Sequence, residues 1–341
     1  MTEDRGVLAK SRVVFPADAV GPKIPLRALS RIFTQRGLIA SLLACVAMVA
    51  VGYSAGSYYQ FVLSIIAINA MVVISLDILL GRLGLISIGH AGFVCAGAYV
   101  SAVLMTNGWP FLATLPAAGA LASFGGLLLG LPSMRLSGFY LAVATLAFGG
   151  LMLHVVRWLE PLTGGVYGMA VPIPTAFGFK LTGGIWFAFL VGTLVLFILS
   201  HAWLARSVLG RAMLAVKSSE PAAQSIGINF VTVKLIGFAI SGFSAGIAGA
   251  LYGPTIGFLG TEHFTFMVSV SYVAMAVVGG VGTLGAILGA AVITAIPEFF
   301  TALADFGSLI WGVALLLILL LSPGGLAALR IFRNSVGSAA P

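Results

Sequence analysis

Four short stretches carry residue types that could do chemistry. GFSAG at 242–246 fits G-x-S-x-G, the turn that presents a nucleophilic serine, and GVGTLG at 280–285 fits G-x-G-x-x-G, the turn that cradles a dinucleotide. VKSS at 216–219 shares its last letters with a phosphate-binding loop, and His90 sits in a glycine-rich block at 81–98. Each chemistry makes a demand on its surroundings. A nucleophile elbow needs a strand, a following helix and His/Asp partners. A dinucleotide turn needs a preceding strand and a ribose-binding acid, and a P-loop needs its glycines.

The elements available cannot meet those demands. Of 341 residues, 60% are hydrophobic and 8% charged, against about 25% charged in soluble domains. Nearly uncharged runs recur from residue 38 to residue 322. This is the composition of an all-α, polytopic transmembrane bundle. Candidate spans fall near 38–56, 60–80, 85–105, 111–131, 137–158, 184–204, 231–252, 266–284, 286–300 and 307–326. The ninth is short and Gly/Pro-punctuated, so the expectation is eight to ten spans. GFSAG then lies inside the seventh span and GVGTLG between two later ones, where small residues serve helix packing. VKSS lacks the P-loop glycines, and no G-x-x-x-x-G-K-[ST] occurs anywhere. Cys45 and Cys95 lie in apolar runs without disulfide or zinc spacing. The expectation is therefore no enzyme, no metal and no cofactor.

Basic residues set the orientation. With the N-terminus inside, 15 of the 17 Lys and Arg are cytoplasmic: seven in the first 36 residues, then Arg82, Arg135, Arg206, Arg211, Lys217, Lys234, Arg330 and Arg333. Arg157 and Lys180 fall outside, together with Glu160, Glu262, Glu298 and Asp305. The positive-inside rule thus predicts N-in and C-in. The net charge of +8 is a topology signal, and no basic patch with interleaved aromatics points to nucleic acid. Residues 1–36 and 331–341 read as cytoplasmic tails around a membrane domain at 37–330, with a cytoplasmic loop at 205–230.

Polar groups inside the spans are few. Gly81, Gly84, Gly89, Gly92 and Gly97, with Ser87, Ala91 and Ala96, interrupt what would otherwise be one helix. Two readings stay open: close packing through small residues, or a broken helix whose backbone lines a path for solute. On the second, Ser87, Gly89, His90 and Gly92, with Thr145 as a neighbour, form the translocation path. His90 is equally readable as a packing histidine. Asp77, five residues before Arg82, reads as an anchor for its helix end; His154 and Arg157 read as outer-end residues, and Asn69 as a hydrogen-bonding group within the bundle. So thin an inventory disfavours a proton- or sodium-coupled carrier, which needs buried carboxylates.

The least apolar internal stretch is SVLGRAMLAVKSSEPAAQSIGI, 207–228. Ser219 suits an N-cap, Glu220 the positive end of a helix dipole, and Pro221 a first turn. Gly227 closes a helix of barely two turns. Ala222, Ala223 and Ile226 make a small apolar knob. So short a helix needs something to pack against. The residues alone leave an ordinary interfacial helix and a partner-docking helix equally open.

G-R-A-x-x-A-V-x-x-x-E-x-A-A-x-x-x-G-I, from Gly210 to Ile228, resembles the coupling loop of bacterial ABC importer permeases. GLISIGHAGFVCAGAYVSAVL (84–104), LSGFYLAVATLAFG (136–149) with LTGGVYGM (162–169), and VVGGVGTLGAILGA (277–290) resemble, in order and spacing, blocks of the Leu/Ile/Val-type permeases. They are most similar to the M-type membrane subunit. The sequence departs from that pattern at Leu85, at Gly150 and around Lys217–Ser219, which bears on substrate identity. The resemblance implies a multi-pass permease of a bacterial inner membrane importing branched-chain or other aliphatic amino acids; urea, short amides or sugars are the alternative. It implies cytoplasmic ATP-binding subunits, a second homologous membrane permease, a periplasmic substrate-binding protein and surrounding membrane lipid as partners. Gly210, Arg211, Glu220, Ala222, Ala223, Ile226 and Gly227 would then form the ATPase-coupling surface.

Overall fold

The computed structural model describes residues 35–299 except 137, 177 and 281. The candidate span at 307–326, Asp305, Arg330, the tail at 331–341 and most of the tail at 1–36 lie outside the described residues. The described residues are helical almost throughout, with eleven main helices among them. They are α1 (Gln35–Ala55), α2 (Ser57–Asp77), α3 (His90–Thr106), α4 (Phe111–Gly130), α5 (Phe139–Trp158), α6 (Gly183–Arg206), α7 (Val208–Ser218), α8 (Glu220–Ser225), α9 (Phe230–Ile256), α10 (Phe266–Gly279) and α11 (Thr283–Phe299).

Nine of the ten candidate spans coincide with a helix, with altered ends. Six stretches among the described residues are long and apolar enough to cross a membrane: 37–55, 57–83, 111–134, 139–158, 183–206 and 230–256. α3, α10 and α11 are shorter. The 14 residues of α10 rise only about 21 Å, less than the roughly 30 Å hydrocarbon core.

α2 is the axis of the bundle. In its most apolar stretch 83% of residues are buried, against 22–44% in the other five long spans. It packs against α1, α6, α9, α10 and α11. Its α-helix gives way at Ile78 to a π-helical turn, Ile78–Leu83, closed by Gly84 in the left-handed conformation (φ 70°). Residues 85–89 are not helical, so α3 starts at His90, five residues later than the candidate span.

A seam of small residues joins α3, α4 and α9. A Cβ on Gly97 would land on the Gly246 backbone, one on Gly249 on the Val94 carbonyl, and one on Gly126 on the Phe238 carbonyl. A Cβ on Gly242 would stand 2.6 Å from the Ala122 carbonyl oxygen. Here the helices meet backbone to backbone, the geometry that small residues permit. GFSAG belongs to this seam, through Gly242 and Gly246. The glycines around GVGTLG do the same work in the α10–α11 hairpin, where Gly279 abuts the Gly285 carbonyl and Gly289 the Met275 carbonyl.

At the end of the bundle away from α7 and α8, two short ribbons form. Met169–Ala170 pairs antiparallel with Phe258–Leu259, and Thr175–Ala176 with Phe179–Lys180. Outward faces of α4, α5 and α6 expose Phe124, Leu128, Tyr140, Leu196 and Trp203, side chains that suit lipid rather than water.

Candidate functional site

The break before α3 is held by hydroxyls from three helices. The Ile88 N–H donates to Thr145 Oγ1 on α5 (3.0 Å), and the Ala91 N–H donates to Ser269 Oγ on α10 (3.1 Å). His90 is fully buried, its Nε2 2.8 Å from Ser75 Oγ on α2. Ser87 Oγ and His90 Nδ1 are buried without a hydrogen-bond partner among the described residues. Ser87, Gly89, His90 and Gly92 lie together at the break, with Thr145 of α5 against it. Their packing is tight: a Cβ on Gly89 would land on the Thr145 carbonyl, and one on Gly92 would stand 3.0 Å from Gly149 Cα. The break and α5 touch through backbone, so these glycines have a steric job whatever else the block does.

The stretch 207–228 folds as two capped helices against the end of the bundle. Ser207 accepts from the Gly210 N–H (3.1 Å) to cap α7, and Ser219 accepts from the Ala222 N–H (3.3 Å) to cap α8. Each cap is worth about 1 kcal/mol. Only glycine fits at 210, where a Cβ would meet the Leu204 carbonyl at the close of α6. Arg211 is exposed and folds back to donate to the Arg206 carbonyl (2.8 Å). Met213 and Val216 face the core.

Two lysines fasten the segment. Lys217 Nζ donates to the Gly81 carbonyl in the π-turn (2.7 Å), and Lys234 Nζ at the start of α9 lies 2.7 Å from Glu220 Oε1. Lys234 also reaches the Ser133 carbonyl (3.4 Å) and the Phe230 ring. Its side chain is 4% exposed and that of Glu220 42%. The α8 helix ends as expected, with Gly227 at φ 83° and the Ile228 N–H returning to the Ala223 carbonyl (3.0 Å). The apolar knob does not form one face. Ala223 points inward at 2% exposure, whereas Ala222 is exposed and Ile226 is 72% exposed. A partner can therefore reach Arg211, Ala222 and Ile226, while Gly210 and Ala223 shape the segment from beneath.

A family model described as "Branched-chain amino acid transport system / permease component" matches residues 58–322. The chain belongs to this family. It is 33% identical over 282 residues to the "High-affinity branched-chain amino acid transport system permease protein LivM" of Escherichia coli K12, covering 74% of this chain and 66% of that protein. The LivM of Salmonella typhimurium LT2 matches equally. The chain thus spans just under two thirds of the LivM proteins it matches. A more distant likeness, 29% over 192 residues, links it to the "Autoinducer 2 import system permease protein LsrC" of Salmonella paratyphi B, covering 53% of this chain and 51% of that one. No solved structure matches.

Within this permease family setting, several partners escaped the sequence reading. Ser75 and Ser269 complete the surroundings of the break, yet lie 15 and 178 residues from the groups they contact. Lys234 is a buried cation near the start of a span, a signal that some carboxylate must meet it. Asp77, at the end of α2, reaches other helices: its carboxylate lies 3.1 Å from His201 Nε2 on α6 and accepts from the Gly282 N–H. His154 and Arg157 are exposed on α5. Asn69 donates to Thr294 Oγ1 on α11 (2.9 Å).

Proposed function

We propose that the chain is the membrane permease subunit of an ATP-driven importer that moves branched-chain or other aliphatic amino acids across a bacterial inner membrane. The observation that carries this reading is the family match over 58–322, with an identity of 33% to a branched-chain amino acid permease. ATP is hydrolysed by separate cytoplasmic subunits, a second homologous permease completes the membrane pair, and a periplasmic binding protein delivers the solute. The chain itself does no bond-making chemistry. Both tails and the α7–α8 segment lie in the cytoplasm, in keeping with the positive-inside bias.

The α7–α8 segment is built to receive an ATPase. Its lysine clamps reach α2 and α9, so a push on it is felt by both spans together. Arg211, Ala222 and Ile226 offer an exposed basic and apolar surface to that partner, and Glu220 secures it to Lys234. On the far side, the thin polar lining of the bundle suits brief contacts by backbone and hydroxyl groups, since tight binding would oppose release. The test is reconstitution of the whole assembly in vesicles. ATP-dependent accumulation of leucine, isoleucine or valine is expected, with none under an ion gradient alone. Uptake without ATP would refute the mechanism, and ATP-driven uptake of another solute only would refute the substrate.

A further inference from the structure

Asp77 and His201 are ionisable side chains inside an apolar bundle, and neither the break at 84–89 nor the α7–α8 surface requires them. Charge at such depth is costly and is kept where fixed partners hold it. Asp77 stands where α2 changes into its π-turn. One carboxylate oxygen lies 3.1 Å from His201 Nε2 on α6, and the other accepts from the Gly282 N–H (3.3 Å) in the link between α10 and α11. Gly280 and Gly282, two of the residues in that link, both have positive φ, 85° and 108°, a backbone conformation that glycine supplies at little cost. Arg82, fully buried, belongs to the same π-turn. At the next carbonyl along, Gly81 receives Lys217 Nζ from α7.

One six-residue π-turn therefore has the α7 segment bonded to its Gly81 carbonyl, while Asp77, the residue that leads into it, meets two separate helix systems. π-turns recur at functional positions because the extra residue can be redistributed along the helix. Any axial or rotational adjustment of Ile78–Leu83 moves the Asp77 carboxylate relative to both His201 and Gly282. Ile74, Ile78 and His201 also line a cleft of about 640 Å³ between α4, α6 and α9, so the same adjustment reshapes that wall.

We propose that Asp77, with His201, is a positioning pair of the transport cycle, passing displacement of α7 through the π-turn to α6 and to the α10–α11 link. This rests on the reading of the chain as an ATP-driven permease. A coupling role differs from a folding role in what its loss leaves behind. A bundle that merely needs the pair to fold loses assembly, hydrolysis and uptake together. A bundle that uses it to transmit motion still binds its ATPase and still hydrolyses ATP, but moves less solute per turnover.

Asp77→Asn preserves size and an oxygen for the Gly282 N–H while removing the charge facing His201, and His201→Gln removes the other half. Both are reconstituted with the full set of partner subunits. Bound ATPase, binding-protein-stimulated hydrolysis and leucine uptake are measured on one vesicle preparation. Hydrolysis within about twofold of wild type and leucine moved per ATP lower by about tenfold are expected, a size typical of coupling between sites. Asp77→Glu, which keeps the charge, recovers part of that loss. Uptake and hydrolysis falling in equal proportion, or an unchanged ratio, overturns the proposal. If Asp77→Asn does not assemble, Lys217→Gln tests the same linkage from outside the bilayer, and a wild-type ratio there overturns it equally. A wild-type assembly that neither retains an ATPase nor moves leucine refutes the functional reading instead.

Discussion

Three glycines, Gly89 in the break, Gly92 on α3 and Gly150 on α5, make a graded test of how closely the break before α3 sits on its neighbour. At Gly89 a Cβ would strike the Thr145 carbonyl, so alanine there forces two stretches of backbone apart, and no side chain can swing away to help. Overpacking of this kind costs about 1–3 kcal/mol, and rigid neighbours place it at the upper end. Separation also stretches the bond from the Ile88 N–H to Thr145 Oγ1. At Gly92 the Cβ would stand 3.0 Å from Gly149 Cα and 3.2 Å from the Phe148 ring, contacts relieved by a shift of tenths of an ångström. The helix preference for alanine, up to about 1 kcal/mol, offsets that strain. At Gly150 nothing lies within 4 Å, so alanine stabilises by about 0.5–1 kcal/mol. Thermal denaturation of the purified permease should show Gly89→Ala lower by roughly 6 °C, Gly92→Ala near wild type and Gly150→Ala slightly higher. Uptake and bound ATPase should fall with stability in Gly89→Ala. A variant of wild-type stability that keeps its ATPase but loses uptake would refute the steric account, and would leave the 87–92 backbone serving the solute path.

A cysteine at the exposed Gln224 should be labelled by impermeant reagents only from the cytoplasm, and one at the exposed Tyr167 only from outside; the reverse pattern overturns the orientation. Cys45 and Cys95 are buried and leave the background silent. Ile226→Asp should leave the fold intact and reduce ATPase co-purification by tenfold or more, about 1.4 kcal/mol. Ala223→Asp, buried beneath the same segment, should lose folded protein and ATPase together, and equal behaviour of the two variants would sink the distinction between an outer and an inner face.

The long spans were readable because twenty uncharged residues have few places to go, and the caps at Ser219 and Gly227 because capping is local chemistry. The start of α3 was not. Leu85 to Gly89 contains no proline or charge, and what ends the helix there is a π-turn tied to Lys217, more than 130 residues on. The inward turn of Ala223 was hidden for a similar reason. The spacing of Ala222, Ala223 and Ile226 groups them on a short helix, but which side meets the bundle depends on Glu220 finding Lys234. Sequence pattern showed that Asp77 and His90 were unusual, and only the three-dimensional arrangement supplies His201, Gly282, Ser75 and Ser269 as their partners.

The seam between α3, α4 and α9 bears on how motion in this protein can be measured. Side-chain contacts yield through torsions, whereas glycine against carbonyl has no torsion to spend, so these three helices can separate or stay but cannot gradually rearrange. A transporter that changes shape around them carries its own fixed ruler. Spectroscopic labels placed across the seam should hold one distance through every nucleotide state. Labels from the seam to α10 or α11 then read displacement against a frame that the protein itself keeps still.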